Sequence, residues 1–220
     1  MTSPRGSGAR RLLSSVPFAS YLAYSPRGTS DISRRSRQLV PAIKTWNPDI
    51  ARSLIERLAT DEAAAAVREF LTSETTLVPV PRSAPLVPGG LWPPRLICDQ
   101  LVEIGLGAVV VTCLRRTKAV AKSASANPGA RPTVQEHFDS IAAKGDLLVG
   151  NRVTIVDDFI TKGATLLAAA SRFIDAYPRV DLRVFGLVRT MGLVPDIDAI
   201  VAPVVGEVTV DLFGEADRHP

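Results

Sequence analysis

With 220 residues, 46% of them hydrophobic and 22% charged, the chain has the apolar surface for one α/β domain with extensions, or at most two small domains. That composition excludes global disorder, a collagen-like fibre and a coiled coil, and no run approaches the roughly 20 apolar residues of a membrane-spanning helix. The two cysteines, Cys98 and Cys113, and the two histidines, His137 and His219, are too few for a disulfide framework, a zinc site or a multi-histidine metal centre.

Charge is unevenly spread. Residues 1–38 hold seven arginines against one acid, Asp31, for a net of +6, so the remaining 182 residues carry −2 of the overall +4. Residues 1–15, rich in Ser, Gly and Arg, read as a mobile basic arm. Such an arm can bind nucleic acid, but short arginine tails are usually just solvated, and nucleic acid is not the expected partner. Arg10-Arg11 before Leu12-Leu13 does not make a signal peptide, because Ser14, Ser15 and Pro17 break the apolar run. A soluble, cytoplasmic protein that does not engage the membrane is expected.

Residues 16–72 read as a helical N-terminal extension. A short aromatic and apolar run, Phe18–Tyr24, has strand character. Helices are expected over 31–45 and 49–72, the second capped by Asp49, with Ile50, Leu54, Leu58, Ala65 and Phe70 near helical spacing. The pattern changes in residues 73–220. A short buried strand, Thr75–Pro81, ends in a proline-bearing loop; a helix over Pro94–Gly105 follows, and the β-branched run Ala108–Leu114 fits a buried strand. Residues 115–132 lose the apolar pattern and read as a long polar loop. Next come a helix over Thr133–Ala143, a strand over 152–157, a helix over 164–176, a strand over 182–188 and a last strand near 206–211. Strands alternating with helices of this length predict a mainly parallel sheet covered on both faces.

Chemistry concentrates in Val153–Leu166, VTIVDDFITKGATL. Val153–Val156 read as a buried strand that delivers Asp157 and Asp158 to the rim of the sheet, where open α/β sheets bind ligands. Thr161, Lys162, Gly163, Ala164 and Thr165 then make a tight turn into a helix. That turn offers backbone N–H groups, two hydroxyls and a positive helix end to an anion, and Gly163 permits strained dihedrals and close approach. Two acids beside an anion cradle suit a sugar phosphate: the turn takes the phosphate, and the carboxylates accept from vicinal hydroxyls. A Walker B strand ending in Asp157-Asp158 would need an upstream G-x-x-x-x-G-K-[ST] loop, and none exists.

This segment resembles the phosphoribosyl pyrophosphate (PRPP) signature of type I phosphoribosyltransferases: four apolar residues, two acids, two apolar residues and a Thr-x-Gly-x-Thr loop. The likeness extends over about residues 76–190. Within it, the pairing of Val78-Pro79-Val80-Pro81 with Leu114-Arg115-Arg116-Thr117-Lys118 and Gln135 is most similar to the ComF-like branch, although that branch's zinc ribbon is missing. The resemblance implies a phosphoribosyltransferase-type α/β fold and transfer of a 5-phosphoribosyl group from PRPP to a nitrogenous acceptor, with release of pyrophosphate. It also implies Mg²⁺ carried through PRPP and water near Asp157 and Asp158, and a homodimer.

By the same resemblance, Pro81, Arg82 and Ser83 belong to a pyrophosphate loop, often with a cis peptide, here Val80-Pro81. Arg115, Arg116, Lys118 and Lys122 belong to a flexible loop that closes over the substrate, with Lys118 placed beside Asp157 and Asp158 in the catalytic set. Residues 16–72 and the last strand would form the hood over the acceptor. Nothing in the residues identifies the acceptor. The alternative is a non-catalytic PRPP- or nucleotide-sensing protein on the same fold.

Overall fold

The computed structural model describes residues 12–121, 132–145, 150–194 and 196–220. Its centre is a seven-stranded sheet. In chain order the elements are β1 (Ser15–Tyr24), α1 (Asp31–Ser36), α2 (Leu39–Lys44), α3 (Pro48–Thr60), α4 (Ala65–Arg68), β2 (Thr76–Pro79), α5 (Pro93–Glu103), β3 (Val109–Val110), β4 (Leu114–Arg116), α6 (Val134–Ser140), β5 (Ile141–Ala143), β6 (Arg152–Ile160), α7 (Ala164–Ala176), β7 (Asp181–Thr190), β8 (Val201–Val210) and β9 (Ala216–His219). The strand order is β3-β2-β6-β7-β1-β8-β9, parallel from β3 to β1, with β8 and β9 closing one side antiparallel.

Central strands buried on both faces need near-continuous apolar runs, and Val153–Val156 in β6 supply one. One face packs Phe18, Ile155 and Val184 against Leu166, Ala170 and Phe173 of α7 and Phe138 of α6. The other packs Tyr21, Val156, Phe185 and Leu187 against α3 and α5 through Ile55, Leu58, Ile97 and Leu101. The expected α/β class, a mostly parallel sheet flanked by helices, is therefore present. Pro79 can sit in β2 although it has no N–H, because β3 pairs only with Thr76 and Leu77 and has ended before it. Among the described residues no helix is long and apolar enough to cross a membrane.

Several local expectations are corrected. β1, from the segment read as a helical extension, lies inside the sheet between β7 and β8. The run over 108–114 is not one buried strand. β3 is a two-residue edge with Val109 47% exposed, and the chain then leaves for a separate two-stranded sheet, β4 with β5. The helix from Thr133 stops at Ser140, whose hydroxyl donates back to the His137 carbonyl, and Ile141 turns extended to pair with Arg116. Asn47, not Asp49, caps α3, because Pro48 already occupies its first turn. The Val80–Pro81 peptide is trans. Residues 1–11 of the expected arm lie outside the described residues, as do Lys122 and the rest of 122–131.

Candidate functional site

The carboxyl end of β6, the turn after it and the first residues of α7 form one wall of an open cleft of about 80 Å³. Asp157, Phe159, Thr161–Leu166, Thr133 and Glu215 line it. By volume it has room for several waters or one small oxyanion.

The strand does not stop at the acids. β6 continues to Ile160, with Asp157 opposite Gly186 of β7, so both carboxylates stand within the sheet and not beyond its end. The two acids reach different partners, although their carboxyls stay close enough to interact with each other. Asp157 lines the cleft. Asp158 is 6% exposed, and its Oδ2 meets Nζ of Lys44 on α2 at 2.7 Å. Phe159 N–H donates to Asp158 Oδ1 at 2.8 Å, and Asp158 N–H donates to Asp157 Oδ1 at 2.9 Å. The Lys44 ammonium also lies 4.8 Å above the Phe159 ring. Desolvation, reinforced by the neighbouring Asp158 charge, pushes the Asp157 carboxyl well above the usual carboxylate range; Lys44 pulls it partly back.

The turn enters α7 through a left-handed residue. Gly163 is the N-cap of α7 with φ 97° and ψ 3°, a left-handed conformation open mainly to glycine. A Cβ there would stand 2.6 Å from Val208 Cγ1, so β8 also demands a residue without a side chain. Since glycine offers no side-chain acceptor, the first-turn N–H groups of the 13-residue α7 receive no cap. Thr161 Oγ1 donates to Thr190 Oγ1 at 3.5 Å, while Thr165 Oγ1 lies 3.3 Å from His137 Nε2. Lys162 Nζ pairs at 3.0 Å with Glu215, which also lines the cleft, and its backbone N–H remains part of the turn.

Thus Asp157 and Thr161–Thr165 share one cleft, and the other expected site residues among those described do not line it. Arg82 is exposed, and its carbonyl accepts from Arg116 Nε at 2.8 Å; the Ser83 carbonyl accepts from Val120 N–H at 2.8 Å. Pro81 is buried beside them. Arg116 is not a flexible-loop cation. It is 5% exposed on β4, bonded to Ser140 Oγ at 2.6 Å as well as to Arg82, and burial lowers its pKa to about 10, so it stays charged at neutral pH. Arg115 and Lys118 are exposed on β4 and the segment after it. Sequence reasoning missed Lys44 and His137 as neighbours of the site. No local pattern marks Lys44, and only its rarity marks His137. Compared with known proteins, the chain matches no protein-family model and no curated protein.

Proposed function

We propose that this chain is a Mg²⁺-dependent phosphoribosyltransferase that transfers the 5-phosphoribosyl group of PRPP to a nitrogenous acceptor. The observation that carries this is the uncapped first turn of α7, entered through left-handed Gly163, with the Asp157 carboxylate in the same cleft. Backbone N–H groups of the turn and the Thr161 and Thr165 hydroxyls bind the 5-phosphate. Asp157 accepts a ribose hydroxyl. Asp158, held by Lys44, is a positioning residue: its N–H fixes Asp157 Oδ1. Arg82, Ser83, Arg115 and Lys118 supply charge and donors on the pyrophosphate side. Catalysis is then positioning and electrostatics, with the chain fixing the ribose while negative charge builds on the leaving group.

The cleft holds two carboxylates, Asp157 and Glu215, the second paired with Lys162, and a Mg²⁺ there would be held mainly by PRPP's own oxygens and water. Bound there, the metal would neutralise charge on the departing pyrophosphate.

Calorimetric titration with PRPP should show binding that requires Mg²⁺, and ribose 5-phosphate should compete without the metal, because it keeps the groups read by the turn and by Asp157. PRPP binding unchanged in excess chelator would contradict this division of labour. The Lys44–Asp158 pair favours a second reading, a non-catalytic PRPP or nucleotide sensor, because it occupies one of the two acids. Pyrophosphate release from Mg-PRPP across a panel of nitrogenous bases and amides decides between them: a sensor binds and releases none.

A further inference from the structure

One of the chain's two histidines is buried against the cleft wall. His137 on α6 is 2% exposed, and its Nε2 lies 3.3 Å from Thr165 Oγ1. Its Nδ1 is also buried and has no hydrogen-bond partner among the described residues. That asymmetry decides where the ring proton sits. Orphaned buried N–H groups are rarer in proteins than orphaned buried acceptors, so the proton belongs on Nε2, where Thr165 can accept it. A hydroxyl that accepts from the ring must give its own proton elsewhere. That hydroxyl makes no other hydrogen bond among the described residues, and Thr165 lines the cleft.

We propose that His137 is a positioning residue that locks the Thr165 hydroxyl as a donor into the cleft, so that the site selects a fully ionised oxyanion over groups that present N–H or O–H donors there. The inference rests on the proposed function only in taking that oxyanion to be the 5-phosphate. Desolvation, and then the nearby Arg116 charge, hold the imidazole pKa down at about 4, so the ring is neutral at physiological pH and keeps one proton to place. Glu136 opposes that shift only weakly, as the last of the three influences.

The test combines a spectroscopic readout with binding of inorganic sulfate, a probe that can only accept. Nitrogen-15 NMR of the full chain reads the tautomer of each histidine, and His219→Gln assigns the signals, since only two histidines exist. The expected result is Nε2–H at His137 with and without sulfate. His137→Phe should weaken sulfate binding about threefold to tenfold, the net worth of one neutral hydrogen bond, and His137→Gln should restore it to within about twofold, because its amide N–H₂ stands near the former Nε2. Thermal melts of each variant control for packing. Should His137→Phe fail to fold, Thr165→Val must weaken sulfate binding at least as much.

An Nδ1–H ring overturns the inference. So does sulfate binding that is indifferent to His137→Phe, or to Thr165→Val where that variant stands in, and so does absence of sulfate binding altogether. The two proposals separate cleanly. His137-dependent sulfate binding, with PRPP no tighter than ribose 5-phosphate in Mg²⁺, sinks the transferase and leaves this inference standing. Normal Mg-PRPP binding with an Nδ1–H ring does the reverse.

Discussion

Gly163→Val is expected to abolish PRPP binding and to destabilise the fold. An L residue in the left-handed region costs about 1–2 kcal/mol, and a β-branched one more. The new Cβ would also lie 2.6 Å and 2.9 Å from the two Val208 methyls, a contact that overpacking experience puts at about 1–3 kcal/mol. Together these take a large share of an ordinary domain stability of roughly 5–15 kcal/mol. The sequence by itself suggests a milder loss, since it hides β8 from the turn.

Denaturant melts should separate the two causes through Gly163→Ala combined with Val208→Ala. This pair restores space and keeps the dihedral strain, so it should regain part of the stability and little of the PRPP affinity. Full recovery of PRPP binding in the double variant would mean that glycine serves packing against β8 and not the ligand. Lys162→Ala is the contrast. Its ammonium is spent on an exposed ion pair with Glu215, of a type worth about 0–1 kcal/mol, so stability and affinity should hardly move. A severe Lys162→Ala beside a tolerated Gly163→Val would mean that a point charge holds the phosphate.

The acids yield the second large effect, because they should behave oppositely. Asp157→Asn should lose ribose recognition by about 1.5–3 kcal/mol, the worth of a charge-assisted hydrogen bond, while making the fold more stable at neutral pH. The sign follows from the raised carboxyl. A group whose pKa is higher folded than unfolded favours the fold below the unfolded value, near 4, and that contribution is lost as pH rises through the folded value. Removing the ionisable group should therefore flatten the decline of stability above about pH 4. A variant no more stable than the parent at pH 7 would show that Asp157 ionises without strain.

Asp158 is not a rim residue, and substitution there should not be silent. Lys44→Met strands a buried carboxylate with the Phe159 N–H as its remaining donor, whereas Asp158→Asn leaves a lysine whose side chain is 43% exposed and can turn to water. Breaking fully buried pairs costs about 3–5 kcal/mol; with one partner this exposed, about 2–3 kcal/mol for Lys44→Met and about 1 kcal/mol for Asp158→Asn are expected. Equal losses in chemical denaturation would mean that Asp158 is better solvated than its burial implies.

The strand–turn–helix of 152–176 was legible because its causes are local. A continuous apolar run makes a doubly buried strand, and a glycine between threonines makes a turn into a helix whose apolar face repeats at helical spacing. The same locality explains the recognition of Asp157, Gly163 and Thr165 as one group, since they lie within nine residues of chain. The mostly parallel sheet was legible from the alternation of short apolar runs with helical spacing.

What the sequence left open were contacts between distant segments. Nothing near Phe18–Tyr24 says that it inserts between β7 and β8, because strand neighbours depend on which edges remain free once the rest has folded. The β-branched run at 108–114 reads as one strand, yet an edge position and the pull of β5 divide it between two sheets. Adjacent acids look like a matched pair, but only the packing of α2 supplies Lys44 to the second. Arg116 looks like a loop cation until the Arg82 carbonyl and Ser140, 34 and 24 residues away, bury it. Residue type and spacing determined the turn and its polarity; which charge faces which partner was decided by tertiary packing, because pairing energies act through space and leave no local pattern in the chain.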